Sequence, residues 1–381
     1  MNMNLWSRNH PRDFWRCIPN PSDEIWQSAI EASLPILRLD SSAVTSDTFL
    51  EWTLGEARFG PSHWRLSLPK RMYYILKPYL PRALTCFLRR HYKNPEKVAG
   101  QISWPIEDRY VKFLWNVLAE VSRSMPQNVE SAPIWPNGKR FALVLTHDVE
   151  DAEGQKFVPA VADLEEKLGF RSLFNFVPER YSIDRRLVDE LRQREFEIGI
   201  HGLKHDGKLF SSRDEFNRRV ARINHYLKEF GAVGFRSPLT HRNPEWMQAL
   251  DIEYDLSFFD TDPFEPIPGG TMNVYPFFIG HFIELPYTLV QDYTLTSVLN
   301  EQTPRIWLNK VEFLRGVQGM ALLNAHPDYL KSPKCFTVYS AFLDAMQVQN
   351  DAWRALPRNV ASWWRMRAEI SLQKEAISVN A

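Results

Sequence analysis

After Trp135-Pro136-Asn137-Gly138 the chain settles into a regular alternation, in which short apolar runs are separated by amphipathic stretches. Runs with no polar/apolar alternation are the mark of strands buried on both faces, as in parallel sheets covered by helices. The first run is Phe141–Thr146, followed by a helical stretch over 158–168 and a second strand over Arg171–Val177. A helix over 183–195 leads to a strand over Phe196–Ile200, and Ser212-Arg-Asp-Glu215 has the spacing of a capping box opening a helix to Glu229. Val233–Arg236 and Tyr254–Phe259 read as further strands, with a short helix over Pro244–Leu250 between them. Ile283–Pro286, a helix over 304–316 and a strand over Met320–Asn324 complete the series. The pattern predicts an α/β fold with a largely parallel sheet, open or closed into a barrel.

Before this break helices dominate. Residues 23–37 follow Ser22, an N-cap residue type, and 108–124 also carry apolar residues at helical spacing. The boundaries that follow are a mainly helical region over 1–138, a catalytic domain over 139–372 and a tail over 373–381. Between Arg65 and Lys97 nine basic residues face a single acid, Glu96. This stretch reads either as a solvated face or as a peripheral contact for anionic lipid, a phosphorylated sugar carrier or an acidic glycan, the former being the commoner meaning of a charge run.

Composition excludes several classes. The 46 basic and 46 acidic side chains cancel, which argues against nucleic acid as a partner. No run approaches the roughly 18 apolar residues of a membrane span. The amino terminus lacks the apolar core of a secretory signal. Cys17, Cys86 and Cys335 are far apart, form no CxxC pair, and read as reduced thiols of a cytoplasmic protein.

Four polar clusters fall at predicted strand ends, where parallel α/β folds gather their chemistry. The first is Thr146-His147-Asp148-Val149-Glu150-Asp151, in which Asp148 and Glu150 share a side of an extended backbone. Acids in this position also cap the following helix. The second is His201-Gly-Leu-Lys-His205-Asp206-Gly207, whose two glycines favour a loop and whose H-x3-H spacing suits two imidazoles on one cation. With Glu150, His201 and His205 make the three-ligand set of a catalytic zinc site, which leaves one position open. The third and fourth are Phe235-Arg236-Ser237-Pro238 and Leu323-Asn-Ala-His326-Pro327. Taken singly, Arg236 and His326 also fit a surface ion pair and a satisfied structural histidine.

The order of these clusters (strand-end Asp, HxxxH, RxP, strand-His-Pro) resembles the polysaccharide deacetylase family, carbohydrate esterase family 4, over roughly Phe141 to Asp328. The resemblance implies a distorted (β/α) barrel with fewer units than eight, and a hydrolase that removes N- or O-acetyl groups from a carbohydrate or glycan precursor. It implies a divalent cation, zinc first and cobalt or nickel as alternatives. Asp148 matches the family's base, His201 and His205 its metal-binding histidines, Arg236 the arginine that orients the base, and His326 the general acid. For the aspartate that tunes this histidine the choice is Asp255, with Asp260 and Asp262 as rivals. Three departures stand out. Val149 occupies the usual position of the acidic ligand, which shifts that role to Glu150 in a D-x-E arrangement, with Asp151 as the fallback. Gly202 replaces a hydroxyl residue, and Leu239 replaces an aromatic. The same scaffold also serves amidases on small non-sugar substrates, and a chain without the usual ligand also fits an inactive sugar-binding protein.

Overall fold

The computed structural model describes residues 4–39, 42–65 and 102–369, together with Met72, Leu80 and Leu84. Nearly all of the basic stretch, Cys86 and the expected tail lie outside these residues. Cys17 and Cys335 are buried, unpaired thiols.

Among the described residues nine strands make one sheet: β1 (Phe141–Val149), β2 (Leu173–Phe176), β3 (Glu197–His201), β4 (Gly234–Arg236), β5 (Tyr254–Asp255), β6 (Phe277–Ile279), β7 (Phe282–Glu284), β8 (Met320–Ala325) and β9 (Ala352–Arg354). Their order is β6-β7-β5-β4-β3-β2-β1-β8, with β9 joined to the start of β1. Every pairing is parallel except the β6/β7 hairpin. Past β7 the chain bridges back to β8 at Leu289↔Leu323, and Thr288 and Leu289 both donate backbone N–H groups to Leu322 O. The sheet therefore curls into a distorted barrel, and the carboxyl ends of its parallel strands converge on one mouth.

The helices between strands begin where side-chain acceptors are available for their unpaired N–H groups. Asp151 caps Ala152–Lys167, Asp184 caps Arg185–Gln193 and Ser212 caps Arg213–Glu229. The first of these starts six residues earlier than its periodicity suggested, because the Asp151 cap prevails and Pro159 is accommodated inside the helix. Regular pairing in β5 covers two residues only, and β6, β9 and a helix over Pro333–Gln347 have no counterpart in the sequence pattern. Among the described residues, no helix is long and apolar enough to cross a membrane.

The amino-terminal helices Asp23–Ser33 and Arg109–Ser124 pack on each other and share one hydrophobic core with the barrel. Their polar anchors are specific. Asn9 exchanges two hydrogen bonds with the backbone of Phe278, at 2.8 and 2.7 Å, and so pairs the exposed edge of β6 as a strand would. Glu56 is fully buried against Arg242, with Nη2–Oε1 at 2.6 Å and Nε–Oε2 at 2.9 Å, and also accepts the backbone N–H of Gly270. Arg242 in turn donates to Thr240 O, on the loop that follows β4. The amino-terminal region thus staples two loops at the mouth of the barrel.

Burial alone would raise the Glu56 carboxyl, but Arg242 and His63 outweigh it and hold the pKa at about 2, below the ordinary 4.5. A depressed carboxylate stabilises the fold above its unfolded pKa, and this contribution fades as pH falls toward the folded value. Glu56→Ala leaves Arg242 buried without its partner and is expected to cost about 3–5 kcal/mol at neutral pH. In denaturant titrations the gap to wild type should be widest above about pH 5 and narrow toward pH 3. A gap that stays constant over this range would contradict the ion-pair assignment.

Candidate active site

Each of the four strand-end clusters reaches the barrel mouth. Along β1 the side chains alternate, so Thr146 and Asp148 share one face while His147 and Val149 take the other. His147 lies against Glu165 of the helix Ala152–Lys167 at 2.6 Å, and Val149 is core. The position at which the resemblance expects an acidic ligand therefore faces away from the mouth, and Glu150 returns to it.

Asp148 is almost fully buried. Arg236 Nη1 lies 3.2 Å from its Oδ1, Asn175 donates to Oδ1 at 3.0 Å and Asn324 donates to Oδ2 at 2.9 Å. Burial would raise its pKa, but Arg236, His201, His326 and Asn175 hold it well below the usual carboxylate range. Asp148 is thus an ionised base aimed into a pocket. Asn175, on β2, was not legible as a site residue, since a lone amide in a strand carries no motif. Its room is made by Gly199 of β3, where a Cβ would fall 2.1 Å from Asn175 Oδ1.

Arg236 is held from several sides. Its Nε donates to Leu256 O at 2.9 Å, and its Nη1 also reaches Thr146 Oγ1 at 3.0 Å and Asn324 Oδ1 at 2.5 Å. Its own carbonyl faces His201 Nδ1 at 3.0 Å, which turns His201 Nε2 toward the mouth.

His201 closes β3, and the H-x3-H segment that follows is a loop. Gly202 has φ +62 and His205 φ +53. A Cβ on Gly202 would sit 2.5 Å from Pro238 Cδ, so the hydroxyl residue expected at this position has no space. His205 Nε2 is 3.0 Å from Glu150 Oε1. Ligand atoms of Glu150, His201 and His205 all lie within 4.8 Å of one another. Burial brings the His201 pKa down to about 4, leaving a neutral imidazole. Two imidazoles and one carboxylate, facing a pocket on the remaining side, fit a divalent cation with a free coordination position. Asp151, the alternative ligand, instead caps the helix Ala152–Lys167 through Gly154 N.

His326 follows β8, with Nε2 3.9 Å from Asp148 Oδ2 and 4.0 Å from Glu150 Oε1. Its Nδ1 is 2.7 Å from Asp292 Oδ1, and its backbone N–H donates to Asp292 Oδ2 at 2.9 Å. This corrects the expectation for the tuning aspartate, because Asp255 is turned to Ser257, accepting from its N–H and hydroxyl, and lies beside Glu284. Nor do the rivals reach the histidine. Asp260 pairs with Lys310 at 2.6 Å, and Asp262 accepts from Phe264 N and Tyr287 Oη. Burial would lower the His326 pKa, yet Asp292, then Glu150 and Asp148, raise it to about 10, so the imidazole is protonated at neutral pH.

The pocket holds about 680 Å³ out to its open mouth. Leu239 lines it at the position expected of an aromatic, and the aromatic surface comes instead from Tyr287, Tyr293 and Tyr329. The Tyr293 and Tyr329 rings lie 4.7 Å apart, with Tyr329 5.2 Å from the His326 ring.

Solved structures share this architecture. A Mycobacterium smegmatis protein assigned as a polysaccharide deacetylase superposes with a TM-score of 0.51 at 20% identity, covering 61% of this chain and 93% of that one. A Pseudomonas aeruginosa PAO1 protein assigned likewise gives 0.51 at 15% identity, covering 63% and 96%. The chain has the polysaccharide deacetylase fold. No protein-family profile matches the sequence. No curated protein matches it either. The polysaccharide deacetylase fold accounts for the strand-end placement of all four clusters.

Asp292→Asn removes the charge that raises His326. In metal-free protein the imidazole of this variant, followed by NMR, is expected to titrate at lower pH than in wild type. An unchanged titration would mean that Asp292 does not govern the proton on His326.

Proposed function

We propose that the protein is a metal-dependent hydrolase that removes acetyl groups from a carbohydrate, with Glu150, His201 and His205 as the cation's ligands. The observation that carries this reading is the pairing around one pocket of a carboxylate held ionised, Asp148, with an imidazole held protonated, His326. Environments that push two titratable groups in opposite directions assign base and acid. A divalent cation on the three ligands, with zinc first and cobalt or nickel next, supplies Lewis acidity and lowers the pKa of a water toward about 7.

The remaining steps belong to the chain. Asp148 takes the proton of the attacking water, and Arg236 with the Asn175 and Asn324 amides keeps that carboxylate oriented. His326 passes its Nε2 proton to the departing amine or hydroxyl, while Asp292 fixes the ring through Nδ1. Each proton transfer is worth about a hundred- to ten-thousand-fold. Purified protein should therefore bind about one divalent cation and release acetate from acetylated sugars. His201→Ala should lose the cation. Asp148→Asn and His326→Ala should each lose at least about a hundredfold in kcat with folding intact. Wild type that binds the cation but releases no acetate from any sugar would leave a binding protein in place of the enzyme.

The pocket wall supports an uncharged or amino-sugar substrate. Glu265 lines the pocket, with its oxygens held by neutral donors, Thr240 Oγ1 at 3.0 Å and Gln291 Nε2 at 2.6 Å. A carboxylate so placed accepts from hydroxyl or ammonium groups and repels uronates. Glu265→Gln should narrow the kcat/KM preference for neutral over uronic-acid substrates by about tenfold, roughly 1.4 kcal/mol. An unchanged ratio would remove Glu265 from substrate selection.

A further inference from the structure

Of the three candidate ligands, Glu150 and His205 lie beyond the regular strands. The β1/β2 ladder ends at Val149↔Phe176, and Glu150 lies one residue beyond it. His201, by contrast, is still within β3 and is fixed through Nδ1. A ligand on unsupported backbone would be displaced by its own conformational freedom, so some other contact must orient this segment.

That contact is Asp328, in the short helix Pro327–Leu330 directly after His326. Its Oδ2 accepts the N–H of Glu150 at 2.9 Å and its Oδ1 accepts the N–H of Asp151 at 3.0 Å. One carboxylate thus grips two successive peptide groups and sets the direction in which the Glu150 side chain leaves the backbone. On the other side of the turn Tyr181 Oη donates to Val149 O at 2.6 Å. Gly154 gives an independent sign that the seat is built. A Cβ there would lie 2.4 Å from Asp328 Cγ, 2.4 Å from Oδ1 and 2.5 Å from Oδ2, so a side chain would expel the carboxylate.

We propose that Asp328, seated against Gly154, is the positioning residue that makes Glu150 a metal ligand and so permits the D-x-E arrangement. The inference rests on the reading that Glu150, His201 and His205 hold the cation. Asparagine at 328 keeps the shape but presents one acceptor where two N–H groups need acceptors, so one grip is lost. Outer contacts of this kind are worth about 10- to 100-fold in metal affinity.

The test is zinc affinity by competition titration on the full-length protein, with thermal unfolding of the metal-free forms beside it. Asp328→Asn is expected to weaken zinc binding about 10- to 100-fold. Gly154→Ala should do the same by displacing the carboxylate, which covers the case in which the first variant folds poorly. Because Asp328 acts through Glu150, Asp328→Asn should cost nothing further in a Glu150→Ala background, whereas a merely structural contact would give additive losses. Additive losses, or unchanged affinity in both single variants, would overturn this inference and leave the ligand set standing. A wild-type protein that takes up no zinc, cobalt or nickel would remove the ligand set itself, and this inference with it.

Discussion

A single buried guanidinium organises the mouth of the barrel. Arg236 is nearly inaccessible to water, and a cation in that position is tolerated only if charge and hydrogen bonding are supplied around it. The supply comes from Asp148 and Thr146 on β1, Asn324 on β8 and the Leu256 carbonyl beyond β5, while the Arg236 carbonyl engages His201 on β3. Three strands besides its own, and the residue that follows a fourth, are therefore tied to one residue. The guanidinium holds Asp148 ionised, and the backbone carbonyl of the same residue orients the His201 imidazole, so geometry and electrostatics at the site have a common origin.

The second consequence is a division of charge across the pocket. Burial acts on Asp148 and His326 alike, opposing the charged form of each. What separates them from a neutral pair is the partner each has behind it: Arg236 for the carboxylate and Asp292 for the imidazole. The two charged forms stand 3.9 Å apart across the mouth and stabilise one another. Asp148 and His326 are thereby both charged in the resting protein, each held so by a partner that lies behind it.

How much of this the sequence discloses depends on whether a residue's partner is written nearby. Asp148, His201, His205, Arg236 and His326 are visible because each follows an apolar run, and buried parallel strands announce themselves by such runs. Asp255, the choice for the tuning role, also sits on a strand. Asp292 performs the contact from an irregular segment after the barrel has closed at Leu289, 34 residues before His326. The Gln-Asp-Tyr-Thr-Leu string around it carries no strand periodicity to mark its direction. Asn175 was hidden differently, as a neutral amide inside a strand whose role exists only because Gly199 on the neighbouring strand leaves it space. The rearrangement at Val149 was legible as a loss of a ligand, whereas its compensation by Asp328 was not, because hydrogen bonds from a side chain to distant backbone leave no spacing in the sequence.

The amino-terminal region illustrates the same limit and carries a functional meaning. Its helices are predictable from their own periodicity, but their purpose lies in contacts such as Glu56 to Arg242, 186 residues apart. Arg242 also holds Thr240 O, and the Thr240 hydroxyl holds Glu265 on the pocket wall. A chain of direct contacts therefore runs from the amino-terminal region to a residue that lines the pocket. Loops at the mouth of a barrel are its least constrained parts, and a polar wall among them keeps its shape only if something fixes the loops from behind. In this protein that support comes from Glu56, a buried carboxylate outside the barrel strands whose own stability requires Arg242. The geometry of the pocket wall and the packing of the amino-terminal helices are thus parts of one network, joined through an ion pair that neither half could bury alone.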